Sequence, residues 1–204
     1  MDLFKLFSKI ICFLTCSDKS VLTHALKKSL VLSEESFSKI IKNVLLKKEA
    51  KAIQKEAKAV AKKLVNKIPI VYAAADFEGV AVRFRQQINE NGKMLCWHHV
   101  IPEMNHNELV GWRKKDPNQA VVLLRNTTDY KRTQMRMEIN KEVFKKYTKT
   151  IIEIHSKGKS YLERAFYLIH LTDFVSVDLA ELNKLDPTEV KVIDYLKGAL
   201  AKSK

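Results

Sequence analysis

Residues that interrupt regular structure are scarce in this chain, with five glycines and four prolines among 204 positions. That scarcity argues against a loop-rich or low-complexity chain and favours long helices and strands. Cysteine is nearly as rare. Cys12, Cys16 and Cys96 are odd in number and include no CxxC pair. A disulfide framework is therefore not expected, and reduced thiols in a cytoplasmic protein are. Long apolar runs are also missing. The opening stretch MDLFKLFSKIICFLTC is broken by Lys5 and Lys9, far short of the ~20 apolar residues that span a bilayer, and no small-residue cleavage site follows it. No membrane partner is expected. A helix packing its apolar face on another element or subunit is. GxGxxG and GxxxxGKS/T are absent as well, so dinucleotide-binding and P-loop functions have no support.

What the chain has in excess is positive charge. Its 37 basic and 23 acidic residues leave a net charge of +14. Much of the surplus lies in KKEAKAIQKEAKAVAKKL and in the tail KGALAKSK, where lysine marks a solvated helical face. A preference for anionic ligands, sugar phosphates included, follows; a nucleic-acid partner does not. The hydrophobic fraction of 46% suits a packed globular core.

Periodicity divides the chain in two. Residues 1–32 read as helical pieces with Leu3, Phe4, Phe7, Ile10, Ile11 and Leu14 at helix spacing. A second helix starts near Ser33, where SEES supplies an N-cap and acidic first-turn residues, and runs to about Val65. It carries Phe37, Ile40, Ile41, Val44 and Leu45 on one stripe, then the narrower face of Ile53, Ala57, Val60 and Leu64. From there short apolar runs alternate with helices. Strands are expected at 68–75, 93–100, 120–126 and 149–156, and helices at 78–91, 129–147 and 160–182. A last helix is expected with Asp186 as its N-cap and Pro187 at its first position. This alternation predicts an α/β fold, a mainly parallel sheet covered by helices on both faces and preceded by a helical N-terminal extension. The boundary falls between 1–66 and 67–204. In such a sheet the turn AAADFEG, after the first strand, is the natural ligand edge.

Chemistry concentrates in QQINENGKMLCWHHVIPEMNHNELVGW, residues 86–112, with three carboxylates, three histidines, six amides and two tryptophans. A metal site would draw on His98, His99, Glu103, His106 and Glu108. No HExxH pair occurs, and neighbouring strand residues His98 and His99 point to opposite faces, so no metal is expected. Glu90 ends a helix among Gln86, Gln87, Asn89 and Asn91. It is either a solvated helix-end carboxylate or a base held ionised and aimed by amides. His106 is either loop decoration or a proton carrier whose tautomer Asn105, Asn107 and Glu108 set. His170 reads as a core histidine on an apolar face, Trp97 and Trp112 as core, and His24 and His155 as isolated.

The motifs Q-x-N-E-N and P-E-x-N-H-N-E, followed by the D-P-x-x-V…L-K ending, resemble the C-terminal half of the bacterial and archaeal bifunctional phosphoglucose/phosphomannose isomerases. These form a branch of the SIS (sugar isomerase) superfamily. The resemblance spans about residues 45–202 and implies an SIS-type three-layer sandwich over 67–204. It also implies a cytoplasmic aldose–ketose isomerase acting on glucose 6-phosphate and fructose 6-phosphate, with mannose 6-phosphate as a further substrate. In that family the glutamate of N-E-N shuttles a proton through a cis-enediol, which puts Glu90 in that role. The same resemblance gives His106 to ring opening and Lys197 to the ring oxygen, with the amides Gln86, Asn89 and Asn105 binding substrate. These chemistries need neither metal nor cofactor.

One departure is as informative as the match. The family grips the substrate phosphate with an S-x-S-G-x-T loop in its first SIS half, and this chain has no such loop; the turn of its own sheet reads AAADFEG. Residues 1–44 resemble only the helical linker between halves. The chain is therefore expected to be a C-terminal half, from a split or truncated gene. Its partners would be the sugar phosphate and either a second copy, as a homodimer, or an N-terminal SIS half in a hetero-assembly. In the family the histidine can come from a neighbouring subunit, so Glu90 and His106 of one chain need not meet. The alternative is a non-catalytic SIS domain that binds a sugar phosphate or serves assembly.

Overall fold

The computed structural model describes residues 49–203. The helical pieces expected at 1–32, the helix start at Ser33, the stripe from Phe37 to Leu45, His24, Cys12 and Cys16 lie outside the described residues. The first described element, helix α1 (Ala50–Leu64), buries Ile53, Ala57, Val60, Ala61 and Leu64. These fall at i, i+4, i+7, i+8 and i+11, one stripe of an α-helix, and leave the lysines outward.

Four parallel strands follow: β1 (Ile68–Ala74), β2 (Trp97–Ile101), β3 (Gln119–Arg125) and β4 (Thr150–His155). Their order is β2-β1-β3-β4. Crossover helices α2 (Glu78–Glu90) and α3 (Lys131–Phe144) join them, and α4 (Tyr161–Leu182) and α5 (Lys191–Lys202) complete the chain. Strands β1 and β3 are buried on both sides, as parallel strands between two helical layers must be. Val71, Ala73, Val122 and Leu124 join the core made with α1, α2 and α4. The alternate residues Ile70, Tyr72, Val121 and Leu123 join a smaller core with Met104, Trp112, Met137 and Phe144. The fold is thus an α/β three-layer sandwich. The described part of the expected N-terminal extension, α1, packs into the larger of its two cores.

Several ends differ from the sequence expectation for local reasons. Strand β2 starts at Trp97 and not at residue 93, because Lys93 turns with φ 52° and Asn89 Nδ2 donates to Met94 O at 2.7 Å. The last helix starts at Lys191 instead of Pro187. Asp186 Oδ1 accepts from Thr188 N (2.8 Å) and Thr188 Oγ1 (2.7 Å), closing a turn before the helix. Trp97, expected in the core, is the first residue of edge strand β2 and 41% exposed, whereas Trp112 is buried. Among the described residues no helix is long and apolar enough to cross a membrane.

Candidate active site

Glu90 is the last residue of α2. A helix linking two parallel neighbours runs from the carboxyl end of one strand to the amino end of the next. Thirteen residues at a rise of ~1.5 Å each therefore carry Glu90 about 20 Å from the carboxyl-edge turn AAADFEG. The ligand edge expected from topology and the position of Glu90 are thus at opposite ends of α2. The turn is pinned on one side, where Tyr161 Oη donates to Asp76 O and the Tyr161 and Phe77 ring centroids are 4.9 Å apart, while Ala75 and Asp76 stay exposed.

The wall around Glu90 is a single helical face. Arg83, Gln87, Glu90 and Asn91 recur at i, i+4, i+7 and i+8, and all four line one cleft with Pro187, Thr188 and Val190. Its volume of about 270 Å³ is near the lower end for a small-molecule pocket. Helix α4 fixes this face from behind. Arg83 Nε and Nη2 donate to Asp173 Oδ1 and Oδ2 at 2.9 and 2.7 Å, a bidentate pair with the guanidinium buried. Asn91 Nδ2 donates to Gln87 Oε1 (3.0 Å) and Ser176 Oγ (2.9 Å), and Ser176 Oγ donates to Asp173 O (2.7 Å). Burial pushes the Asp173 carboxyl above its ordinary range, while Arg83 pulls the other way. Gly92 closes the corner, since a Cβ there would stand 2.8 Å from Ile88 O.

Lys93 joins the two rims. Its Nζ donates to Glu90 O at 2.6 Å and also to Glu189 O, across the cleft mouth. The Glu90 carboxylate is exposed at this mouth, on a backbone held from both sides. A rigid helix end carrying a solvent-reachable carboxylate over buried donors can take up and return a proton.

The other expected site residues are not gathered here. His106 is exposed at the end of a 3₁₀ turn (Glu103–His106) that packs on the opposite face of the sheet from α2. Its three neighbours are engaged elsewhere: Asn105 Nδ2 donates to Asn140 Oδ1 (2.7 Å), Asn107 Nδ2 donates to Glu103 Oε1 (3.1 Å), and Glu108 accepts from Tyr72 Oη. Burial raises the Tyr72 phenol, with Glu108 adding to it. Gln86 and Asn89 are exposed outside the cleft lining, and Lys197 is exposed in the middle of α5. His98, His99, Glu103 and Glu108 likewise have separate partners. His98 stands 3.8 Å from Glu78, and His99 Nδ1 accepts from Val100 N. Among the described residues, no group of three or more His, Cys, Asp or Glu side chains is placed to hold a metal. His170 is half-buried against the Phe174 ring (4.9 Å), its pKa held down by burial.

Sequence reasoning names the amides around Glu90 but selects Gln86 and Asn89 over Gln87 and Asn91. It misses Arg83, Asp173 and Thr188. A signal for them exists: counting back from Glu90 by helical periods reaches Gln87 and Arg83. Asp173 is the one charged residue in the stretch AFYLIHLTDFVSV of α4, and a carboxylate there asks for a buried cation.

A family described as the bacterial phospho-glucose isomerase C-terminal SIS domain matches residues 53–200. A bifunctional phosphoglucose/phosphomannose isomerase of Aquifex aeolicus is 37% identical over 159 residues, covering 77% of this chain and 50% of that protein. One from Caldicellulosiruptor bescii is 42% identical over 154 residues, covering 72% and 45%. Among solved structures, a glucose-6-phosphate isomerase like protein from Thermus thermophilus superposes with a TM-score of 0.56 at 22% identity, over 69% of this chain and 46% of that one. That likeness speaks for the fold. The chain spans about half the length of the curated relatives it matches.

Proposed function

This chain belongs to the bacterial phospho-glucose isomerase C-terminal SIS-domain family, and on that premise we propose that it is the proton-transferring half of a sugar-phosphate aldose–ketose isomerase. Its substrates would be glucose 6-phosphate and fructose 6-phosphate, with mannose 6-phosphate as a further one. The observation that carries this proposal is the Glu90 cleft: an exposed carboxylate on a braced helix end, beside the buried Arg83 and Gln87 and the half-buried Asn91.

In this proposal Glu90 removes the proton from the carbon next to the carbonyl and returns it to the neighbouring carbon, so a cis-enediol forms and collapses. A histidine near neutrality can pass a proton to the ring oxygen and open the sugar. His106 stands on the opposite sheet face from α2, so the histidine serving a given Glu90 comes from a neighbouring subunit, in a dimer or larger assembly. Lys197 brings positive charge to the developing oxyanion. Gln86, Asn89 and Asn105 remain candidates for substrate contacts in the assembled enzyme, with Gln87 and Asn91 better placed. The phosphate grip comes from an N-terminal SIS half, and residues 1–66 make the link to it. The reduced, buried thiol of Cys96 accords with a cytoplasmic setting.

The test is a coupled assay of fructose 6-phosphate conversion with the N-terminal half present, comparing the native chain with Glu90→Gln. The expected loss is about 100- to 10,000-fold in kcat. Equal rates would remove Glu90 as the base. A second reading, a non-catalytic sugar-phosphate-binding or assembly module, is favoured by the chain spanning half of its relatives. It is supported if the mixture binds fructose 6-phosphate without converting it.

A further inference from the structure

Both tryptophans of the chain line one cavity on the sheet face away from Glu90, and the proposed isomerisation uses neither. Neighbouring strands make its floor. Ile70 of β1 stands beside Trp97 of β2 in the parallel register, so both side chains project to one face. On that face Ile70, Tyr72 and Trp112 form the smaller core. Gln119, the first residue of β3 and two before Val121 of the same core, projects there too. The cavity measures about 270 Å³, the same as the Glu90 cleft.

The walls are fixed from behind. Trp112 is buried against Phe144, with ring centroids 4.8 Å apart. Its Nε1 donates to Tyr72 Oη at 3.1 Å, and Tyr72 Oη donates in turn to Glu108 Oε1. This chain of bonds holds the Glu108 carboxylate at the wall and leaves Oε2 without a hydrogen bond among the described residues. The Trp97 indole is partly exposed and has no ring or hydrogen-bond partner among the described residues. Asp116 and the exposed Lys114 complete the rim. A Cβ on Gly111 would meet nothing within 4 Å, so that side stands open.

We propose that this cavity is a second binding site, for the closed pyranose ring of a hexose 6-phosphate. Trp97 takes one face of the ring, Glu108, Asp116 and Gln119 take its hydroxyls, and Lys114 takes the phosphate. The lining selects this ligand by its chemistry. The C–H face of a pyranose carries slight positive charge and lies flat on the negative face of an indole. Two carboxylates call for hydrogen-bond donors, which a ring of hydroxyls supplies and a nucleobase supplies sparingly. An organic cation would suit indole and carboxylate. Lys114, with Arg113 and Lys115 beside it in sequence, opposes one by setting positive charge at the mouth. A ligand with hydroxyls at one end and an anion at the other meets both charges. The inference stands on this lining alone and holds whether or not Glu90 is a base.

The test is calorimetric titration of the full chain with 1,5-anhydroglucitol 6-phosphate, a closed ring that cannot isomerise. Saturable binding is expected, together with a shift in tryptophan emission, since both indoles line the site. Trp97→Ala should weaken binding about 10-fold or more, and Trp97→Phe should restore most of it. Lys114→Gln should weaken it about 5-fold, as should removing the phosphate from the ligand. Both positions are exposed, so these variants should melt as the native chain does. If Trp97→Ala melts early, the Lys114→Gln comparison decides. Glu90→Gln should bind as the native chain does; a loss there would move the ligand to the Glu90 cleft and overturn the proposal. So would no saturable binding at millimolar ligand, native affinity in Trp97→Ala or Lys114→Gln, or tighter binding of choline or adenosine monophosphate.

Discussion

Helices α4 and α5 are both rich in apolar side chains, yet they have opposite fates. Of the 22 residues of α4, twelve are buried, among them the polar Arg164, Thr172 and Ser176; of the twelve residues of α5, none is. The difference is where each helix finds its partner. Within this chain α4 packs against α1, α2 and the sheet, and its Asp173 and Ser176 reach out to brace the Glu90 face. The apolar stripe of α5 has no partner among the described residues. One helix stabilises the domain, and the other adds no buried residue to it among those described.

The contrast is most sharply tested by truncating equivalent leucines. Leu168→Ala in α4, at a fully buried position, should cost about 3–4 kcal/mol of unfolding free energy. Leu196→Ala in α5 should change the chain alone by less than about 0.5 kcal/mol. Denaturant titration reads both, and similar losses would mean that α5 is packed after all.

The next largest effect should come from Arg83→Ala, which leaves Asp173 half-sheltered without its cation. A loss of about 3 kcal/mol is expected, at the low end for such pairs because Asp173 retains 31% of its side-chain exposure. A stability unchanged within about 0.5 kcal/mol would show that the pair does not brace the cleft.

The smallest effect concerns pH. Burial lowers the pKa of both His98 and His170 in the folded chain. The unfolded chain then binds the proton first as pH falls through about 6.5, so stability from these groups is full above that value and is lost below it. His98→Gln with His170→Gln should flatten the decline in denaturation midpoint between about pH 7 and 5. An unaltered slope would mean that neither histidine is held neutral by burial.

Much of this architecture is legible residue by residue. The stretch IPIVYAA reads as a buried strand because both helical layers cover it, which leaves no polar face. The helix expected over 160–182 is α4, and the structure adds its capping box, in which Ser160 and Glu163 exchange side-chain hydrogen bonds with each other's backbone. The site is half legible. Glu90 stands out by its company of amides, and its place at a helix end follows from the helical spacing before it. Gln86 and Asn89, which the resemblance implies for substrate binding, lie outside the cleft that Glu90 lines, whereas Gln87 and Asn91 share it by the 3.6-residue period. The rule that makes the turn AAADFEG a ligand edge does not reach Glu90, because a crossover helix runs away from that edge. Trp97 reads as core because aromatic residues usually are; only strand order makes β2 an edge.

Local spacing is enough to dictate the alternation of strands and helices, the parallel sheet, and the concentration of acid–base groups between residues 86 and 112. None of these needs knowledge of what lies across the fold. Three outcomes do need it. Arg83 and Asp173 pair across 90 positions, Glu90 and His106 sit on elements packed against opposite sheet faces, and α5 buries none of its side chains among the described residues. They depend on which surfaces the chain can bring together, and burial is settled by packing between distant segments rather than by the composition of any one of them.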